Sequence, residues 1–247
     1  MKEGVARISE PARDSAAIPV WKRALDFACI FAAIPVLAPL MVLIAIAIQL
    51  VSPGPVLFKQ NRIGYLGRPF RCLKFRTMRV DAQAETHQTY LKDLIQSEVP
   101  MTKMDLIGDS RLFPLASAFR ATGLDELPQV FNVLRGEMSL VGPRPCLPYE
   151  YENYSAVQKR RFDTLPGITG LWQVSGKNRT TFDEMIQLDI DYARSKTLRL
   201  DLLIIARTIP ALIVQMWDTR VKRKQNLRPV RSEPIIRGAR STGDFQR

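Results

Sequence analysis

The chain has 247 residues, 46% of them hydrophobic, which is enough for one substantial domain or at most two small ones and excludes wholesale disorder. Its formal charge of +12 points to an anionic partner, whether nucleic acid, an anionic membrane surface or a phosphorylated substrate. Cys29, Cys72 and Cys146 are widely spaced, form no CxxC pair and share the chain with a single histidine, His87; that excludes a disulfide framework or a soft-metal site and fits a reducing, cytosolic environment.

Residues 1–20 are polar and mixed in charge and read as a loose leader. Residues 27–51, "FACIFAAIPVLAPLMVLIAIAIQLV", contain one strongly polar residue, Gln49, and as a straight helix would measure roughly 37 Å, enough for a hydrocarbon core. Pro35 and Pro39 sit near the middle, where each lacks an N–H and crowds the preceding turn. Both flanks are basic, with Lys22 and Arg23 before the run and Lys59, Arg62, Arg68, Arg71, Lys74 and Arg76 after it. Positive flanks favour the cytoplasmic side, so a re-entrant hairpin that breaks at Ala38-Pro39 and leaves by the face it entered satisfies both ends. A single spanning helix kinked by proline is the alternative. A cleaved signal peptide fits poorly, because a polar segment precedes the run and no small-x-small site follows it.

Beyond the turn "SPGP", the stretches "VLFKQ" and "FRCLKFRTM" predict strands joined through a loop holding Gly64 and Gly67. Residues 82–105 predict a charged surface helix. Leu127–Leu134 shows helical spacing with a stop at Gly136, and "VGPRPCLP" reads as a rigid loop. "FDEMIQLDIDYARSK" is amphipathic, with Thr181 and Glu184 spaced as a capping box. Residues 198–217 are very apolar but interrupted by Asp201, Arg207 and Pro210, which suits a helix lying in the membrane interface. The tail, 219–247, carries nine Lys or Arg against Glu233 and Asp244; it reads as disordered and drawn to anionic lipid, or simply solvated.

The chemistry concentrates in "GLDELPQVFNVLRGEM". The spacing places Asp125 at a helix N-cap, Glu126 in the first turn and Pro128 where a missing N–H costs little. A helix start favours ionised carboxylates and phosphate oxygens alike, so the pair serves either as ordinary capping acids or as an ionised nucleophile at the mouth of a phosphate site. Arg144, held between Pro143 and Pro145, suits bidentate phosphate recognition or a structural role. "PGITGLWQVSGKN" misses the Walker A spacing by one residue and has Asn178 where Ser or Thr is needed, so a P-loop is rejected. "DID" at 189–191 matches a DxD metal motif, but helical residues at i and i+2 face apart.

Four segments, "KRALDF" before the broken run, "QNRIGYLGRPFRCLKFRTM", "LDELPQVFNVLRGEMSLVGPRP" and "PGITGLWQVSGKN", stand in the order found in the bacterial sugar transferase family. Over residues 21–218 the chain resembles these monotopic polyprenyl-phosphate phosphoglycosyl transferases, most closely the exopolysaccharide-initiating members. The resemblance implies a two-step reaction: the first acid of the dyad attacks the β-phosphate of a UDP-sugar and releases UMP, and undecaprenyl phosphate then attacks the phosphosugar intermediate. It assigns Asp125 as nucleophile and Mg²⁺ ligand, Glu126 as an assisting acid, and Arg120, Arg144, Gln173 and Lys177 as substrate contacts. Mg²⁺ is a hard ion that suits a site without His or Cys. Three departures stand out: Ala38 precedes Pro39 where relatives have Ser, Leu165 replaces a frequent Arg, and Lys177 replaces a common Arg, an exchange that loses bidentate geometry.

The expected fold is α+β: a membrane-embedded re-entrant helix-break-helix hairpin (27–51) and a mostly helical cytosolic catalytic domain with a small β-hairpin. The expected location is the cytoplasmic face of a bacterial inner membrane, with UDP-sugar, undecaprenyl phosphate and anionic lipid as partners and no nucleic acid. Two rivals remain: a Leloir-type glycosyltransferase using DID, which would release UDP, and a non-catalytic basic membrane-binding protein, which would tolerate Asp125→Asn.

Overall fold

A computed structural model of the chain describes residues 17–79, 111–176 and 180–226. The helix predicted over 82–105, most of the leader, Lys177 and the tail beyond residue 226 lie outside the described residues.

Helix α1 spans Val20–Val51 and runs through both Pro35 and Pro39. The break expected at Ala38-Pro39 is not seen. A proline withdraws one donor from the helical ladder, and a run rich in Ala, Leu, Ile and Met has the propensity to continue past that loss. The helix is buried only near its ends, at Lys22, Asp26 and Ile30 and again at Ile44 and Ile48, each set spaced by four so that it shares one face. Its middle exposes Phe31, Ile34, Val36, Val42 and Leu43.

Both ends of α1 pack against the same body. At the N-terminal end Lys22 Nζ donates to Val141 O, Tyr192 Oη and Asp201 Oδ2, each at 2.7 Å. Asp26 accepts from Ser139 Oγ at 2.9 Å and Leu140 N at 2.8 Å. Lys22 is therefore not the solvated flanking charge that the sequence suggested: it is fully buried and paired with an acid 179 residues away. At the other end Ile44 and Ile48 share a core with Phe75, Phe113 and Ala116.

Strands β1 (Leu57–Ile63) and β2 (Pro69–Phe75) form the expected antiparallel hairpin, registered Gln60 to Cys72 and Arg62 to Phe70. Directly opposed residues share a face and faces alternate along each strand, so Gln60, Arg62, Cys72 and Lys74 line one side. Helix α2 (Ala116–Thr122) ends at Gly123, whose φ of 75° reverses the chain into a 3₁₀ turn, Leu124–Glu126, followed by α3 (Gln129–Leu134). Gly136, φ 79°, stops α3 as the sequence predicted.

Buried Asn132 ties α3 to the hairpin. Its Oδ1 accepts from Leu73 N at 2.9 Å, while its Nδ2 donates to Arg71 O at 2.8 Å and Glu137 Oε2 at 2.6 Å. Strand β3 (Ser139–Val141) pairs in parallel with β4 (Gly167–Thr169). The two backbones nearly touch: a Cβ on Gly142 would stand 2.2 Å from Leu165 O, and one on Gly167 would stand 2.0 Å from Gly142 N. The glycines of "VGPRP" and "PGITG" thus permit close strand approach, which explains a Gly-rich segment that is not a P-loop.

Helices α4 (Pro148–Asn153), α5 (Leu171–Val174) and α6 (Phe182–Ser195) complete the body, with the Thr181–Glu184 capping box formed as predicted. Helix α7, Leu198–Asn226, passes Pro210 and extends eight residues into the segment read as a tail, where Lys, Arg and Gln are good helix formers. It buries Asp201 and Ile204 and exposes Leu202, Leu203, Ile209, Ile213, Val214 and Trp217.

Candidate active site

Asp125 and Glu126 lie in the single 3₁₀ turn between α2 and α3. Asp125 is not the N-cap that the spacing suggested: Gly123, with its left-handed backbone, caps the 3₁₀ turn, and Pro128 stands at the N-cap of α3. The helical stretch that follows is short, with α3 only six residues long, so side chains rather than a helix terminus dominate the local charge.

The turn separates two different spaces. On one side lies a cavity of about 470 Å³ walled by Ile30, Ala33 and Leu37 of α1 and by Ala211 and Leu212 of α7, with Arg120, Asp125, Glu126 and Gln173 at its polar end. Thr169 and Thr208 share a hydrogen bond of 2.8 Å in its wall. On the other side is a small basic cleft lined by Arg62, Lys74, Glu126, Arg144 and Gln173. Glu126 and Gln173 border both spaces; Asp125 borders the apolar cavity.

The structure thus brings Arg120, Asp125, Glu126, Arg144 and Gln173 to one place, although Arg120 and Arg144 serve different sides of the turn. Gln173 carries a buried Oε1 without a hydrogen-bond partner among the described residues. Ala38 and Pro39 are exposed on the middle of α1. Leu165, in the place of a frequent Arg, is buried.

Two cleft residues escaped the sequence reading. Lys74 Nζ pairs with Glu126 Oε1 at 2.9 Å, holding the second acid of the dyad toward the basic side. Arg62 donates through Nε and Nη2 to Gln60 Oε1, at 3.1 and 2.7 Å, and through Nη1 to Pro145 O at 3.0 Å. In the sequence both look like charges flanking the apolar run; the alternation of "FKQNR" against "FRCLKF" is the signal that places them on one face.

The Pro143–Arg144–Pro145 loop is fixed from two directions. Arg62 holds Pro145 O, and buried Arg161 donates to Arg144 O at 2.9 Å. Arg161 is itself paired with Asp189. Burial pushes the Asp189 carboxyl up to about 6 against the pull of Arg161. Burial and the neighbouring Arg144 both pull the Arg62 guanidinium down. Asp189, fully buried, and Asp191, bonded by Gln187 Nε2 at 2.9 Å, turn to opposite sides of α6, so DID forms no metal site.

Among the described residues no group of three or more His, Cys, Asp or Glu could cage a metal ion. The dyad nonetheless suits Mg²⁺, which takes one or two carboxylates and fills its remaining positions with water and substrate phosphate oxygens.

A family model described as "Bacterial sugar transferase" matches residues 18–215. A galactosyl transferase, CpsE, of Streptococcus agalactiae is 44% identical over 162 residues, 65% of this chain; the chain spans only 35% of that relative's length. The exopolysaccharide production protein ExoY of Sinorhizobium fredii is 36% identical over 77% of this chain and 84% of its own. A UDP-glucose:undecaprenyl-phosphate glucose-1-phosphate transferase of Caulobacter vibrioides is 40% identical over 80% of this chain and 71% of its own.

Proposed function

Because the chain belongs to the bacterial sugar transferase family, we propose that it moves a sugar 1-phosphate from a UDP-sugar to undecaprenyl phosphate and so begins an exopolysaccharide or related glycan. The observation that carries this reading is the position of the dyad between a basic cleft and an apolar cavity, the two environments that a nucleotide diphosphate and a lipid phosphate require.

In the first step Asp125 Oδ attacks the β-phosphorus, and the bond from that phosphorus to the bridging oxygen breaks. UMP leaves with the bonding pair. In the second step a phosphate oxygen of the carrier attacks the same phosphorus, the bond to Asp125 breaks, and the carboxylate is restored with the sugar now on a polyprenyl diphosphate. An aspartate nucleophile needs alignment and neutralisation of phosphate charge more than activation. Arg120 supplies charge on the carrier side and Arg144 on the nucleotide side. Gln173, which borders both spaces, offers its amide to whichever phosphate occupies the seam. Glu126, held by Lys74, assists metal binding or proton handling, and Lys177 adds a nucleotide contact. Mg²⁺, when bound by Asp125, supplies further neutralisation of the diphosphate.

Membrane association follows the same division. A straight helix of 32 residues is about 48 Å long, so in a spanning helix the two ends would lie on opposite faces of the bilayer. Here both ends pack on one body, at Lys22 and at Ile48, while the apolar middle with its two prolines is exposed. That favours an insertion from the cytoplasmic face of the inner membrane in which α1 stays helical through Pro35 and Pro39 and returns to the face it entered by bending there, with the exposed apolar side of α7 lying in the interface.

The test is product identity. Purified protein incubated with undecaprenyl phosphate and a panel of UDP-sugars should release UMP from one of them; release of UDP would overturn the reading. Accessibility labelling before Trp21 and after Arg62 should place both positions on the cytoplasmic side.

A further inference from the structure

Two buried arginines grip adjacent carbonyls of the Arg144 loop, yet their charges are treated differently. Arg161, on Arg144 O, has Asp189 as counter-ion. Arg62, on Pro145 O, is 6% exposed, and the oxygens it reaches, Gln60 Oε1 and Pro145 O, are neutral. No described carboxylate forms an ion pair with it; Glu150, which accepts from Leu147 N at 2.7 Å, is near enough to favour the charge but does not outweigh burial and Arg144. Three of the five N–H groups of a guanidinium are used in these bonds, leaving one on each terminal nitrogen.

A buried cation beside a second cation is costly unless an anion joins it. The cleft that Arg62 lines is where such an anion fits, because Arg144 and Lys74 border it as well. Its position relative to the nucleophile identifies which phosphate. Asp125 lines the apolar cavity and not the cleft, whereas Arg62 and Arg144 line the cleft and not the cavity, so a phosphate held by the two arginines neighbours the one that Asp125 attacks. In-line displacement puts the leaving oxygen on the side of phosphorus opposite the attacking one.

We propose that Arg62 and Arg144 together form the leaving-group site, holding the α-phosphate of the nucleotide donor and then the phosphate of the departing UMP. This rests on the phosphoglycosyl transfer proposed above. Arg62 contributes its remaining N–H groups directly to the phosphate, and its bond to Pro145 O keeps Arg144 aimed at the same group.

The experiment uses full-length wild type, Arg62→Gln and Arg62→Lys, with the UDP-sugar that supports UMP release in wild type. KM for donor, KM for undecaprenyl phosphate and the inhibition constant of added UMP are measured for each. Arg62→Gln should raise the donor KM and the UMP inhibition constant about tenfold or more, the scale of a lost charged hydrogen bond, with the carrier KM within about twofold of wild type. Arg62→Lys, which keeps charge without the fork, should recover part of the UMP affinity. An unchanged UMP inhibition constant, or equal losses for donor and carrier, would overturn the proposal and leave Arg62 a structural clamp. If Arg62→Gln does not fold, Arg62→Lys decides alone: a UMP inhibition constant raised a few-fold at constant carrier KM supports the site, and an unchanged one refutes it. Wild type that releases no UMP from any UDP-sugar would instead refute the transfer reaction itself.

Discussion

The two sides of the Asp125–Glu126 turn are built on opposite plans. The hairpin side is small, basic and fixed by directional bonds: Asn132 pins α3 to β2, Lys74 holds Glu126, and Arg62 and Arg161 hold the loop of Arg144. The α1–α7 side is wide and apolar, and much of its outer surface is large exposed hydrophobic residues such as Phe31, Val36, Ile213 and Trp217. Phosphate chemistry needs donors preorganised around a developing charge, whereas an isoprenoid chain needs only apolar volume and a bilayer to lie in. On the proposed reaction the dyad sits at a boundary, and each substrate would meet the side whose physics matches it.

Four substitutions test that contrast. Asp125→Asn should reduce UMP release about 10⁴-fold or more without unfolding the protein, since it removes the nucleophile both sides serve; single-turnover assay and circular dichroism check the two parts. Lys22→Met should destabilise the fold by about 3–5 kcal/mol, because it leaves buried Asp201 with Tyr192 Oη but no counter-ion; chemical denaturation reads the loss. Arg144→Gln should slow the donor half-reaction about 10²-fold, with a much smaller change in carrier KM. Ala211→Trp, which fills the apolar cavity, should raise carrier KM about tenfold and act on donor KM far less; equal effects on both would erase the distinction between the sides.

Local signals in the sequence carried well wherever structure is set by neighbours along the chain. The Thr181–Glu184 box, the stop at Gly136 and the two hairpin strands all appear where the sequence places them. Signals that depend on distant partners did not carry. Lys22 resembles any basic residue flanking an apolar run, and only the fold brings it to Asp201. Arg62 on β1 and Lys74 on β2 share one face of the hairpin, but nothing local says that this face meets the dyad. The N-cap expected at Asp125 is not there because a left-handed Gly123 sets a separate 3₁₀ turn that holds the dyad, and α3 starts only after Pro128. The glycines of "PGITG" are no P-loop by their spacing, but that they lie where two parallel strands nearly touch is set by Gly142, a residue distant in the chain.

The central claim is that Asp125 becomes covalently bonded to the phosphosugar before the lipid carrier takes part. Intact-mass analysis of the protein after incubation with its UDP-sugar and Mg²⁺, in the absence of undecaprenyl phosphate, tests this directly. The predicted result is a sugar-phosphate adduct on the wild-type chain, formed with release of an equal amount of UMP and absent from Asp125→Asn. UMP released only when the carrier is present, with no adduct at any time, would contradict it.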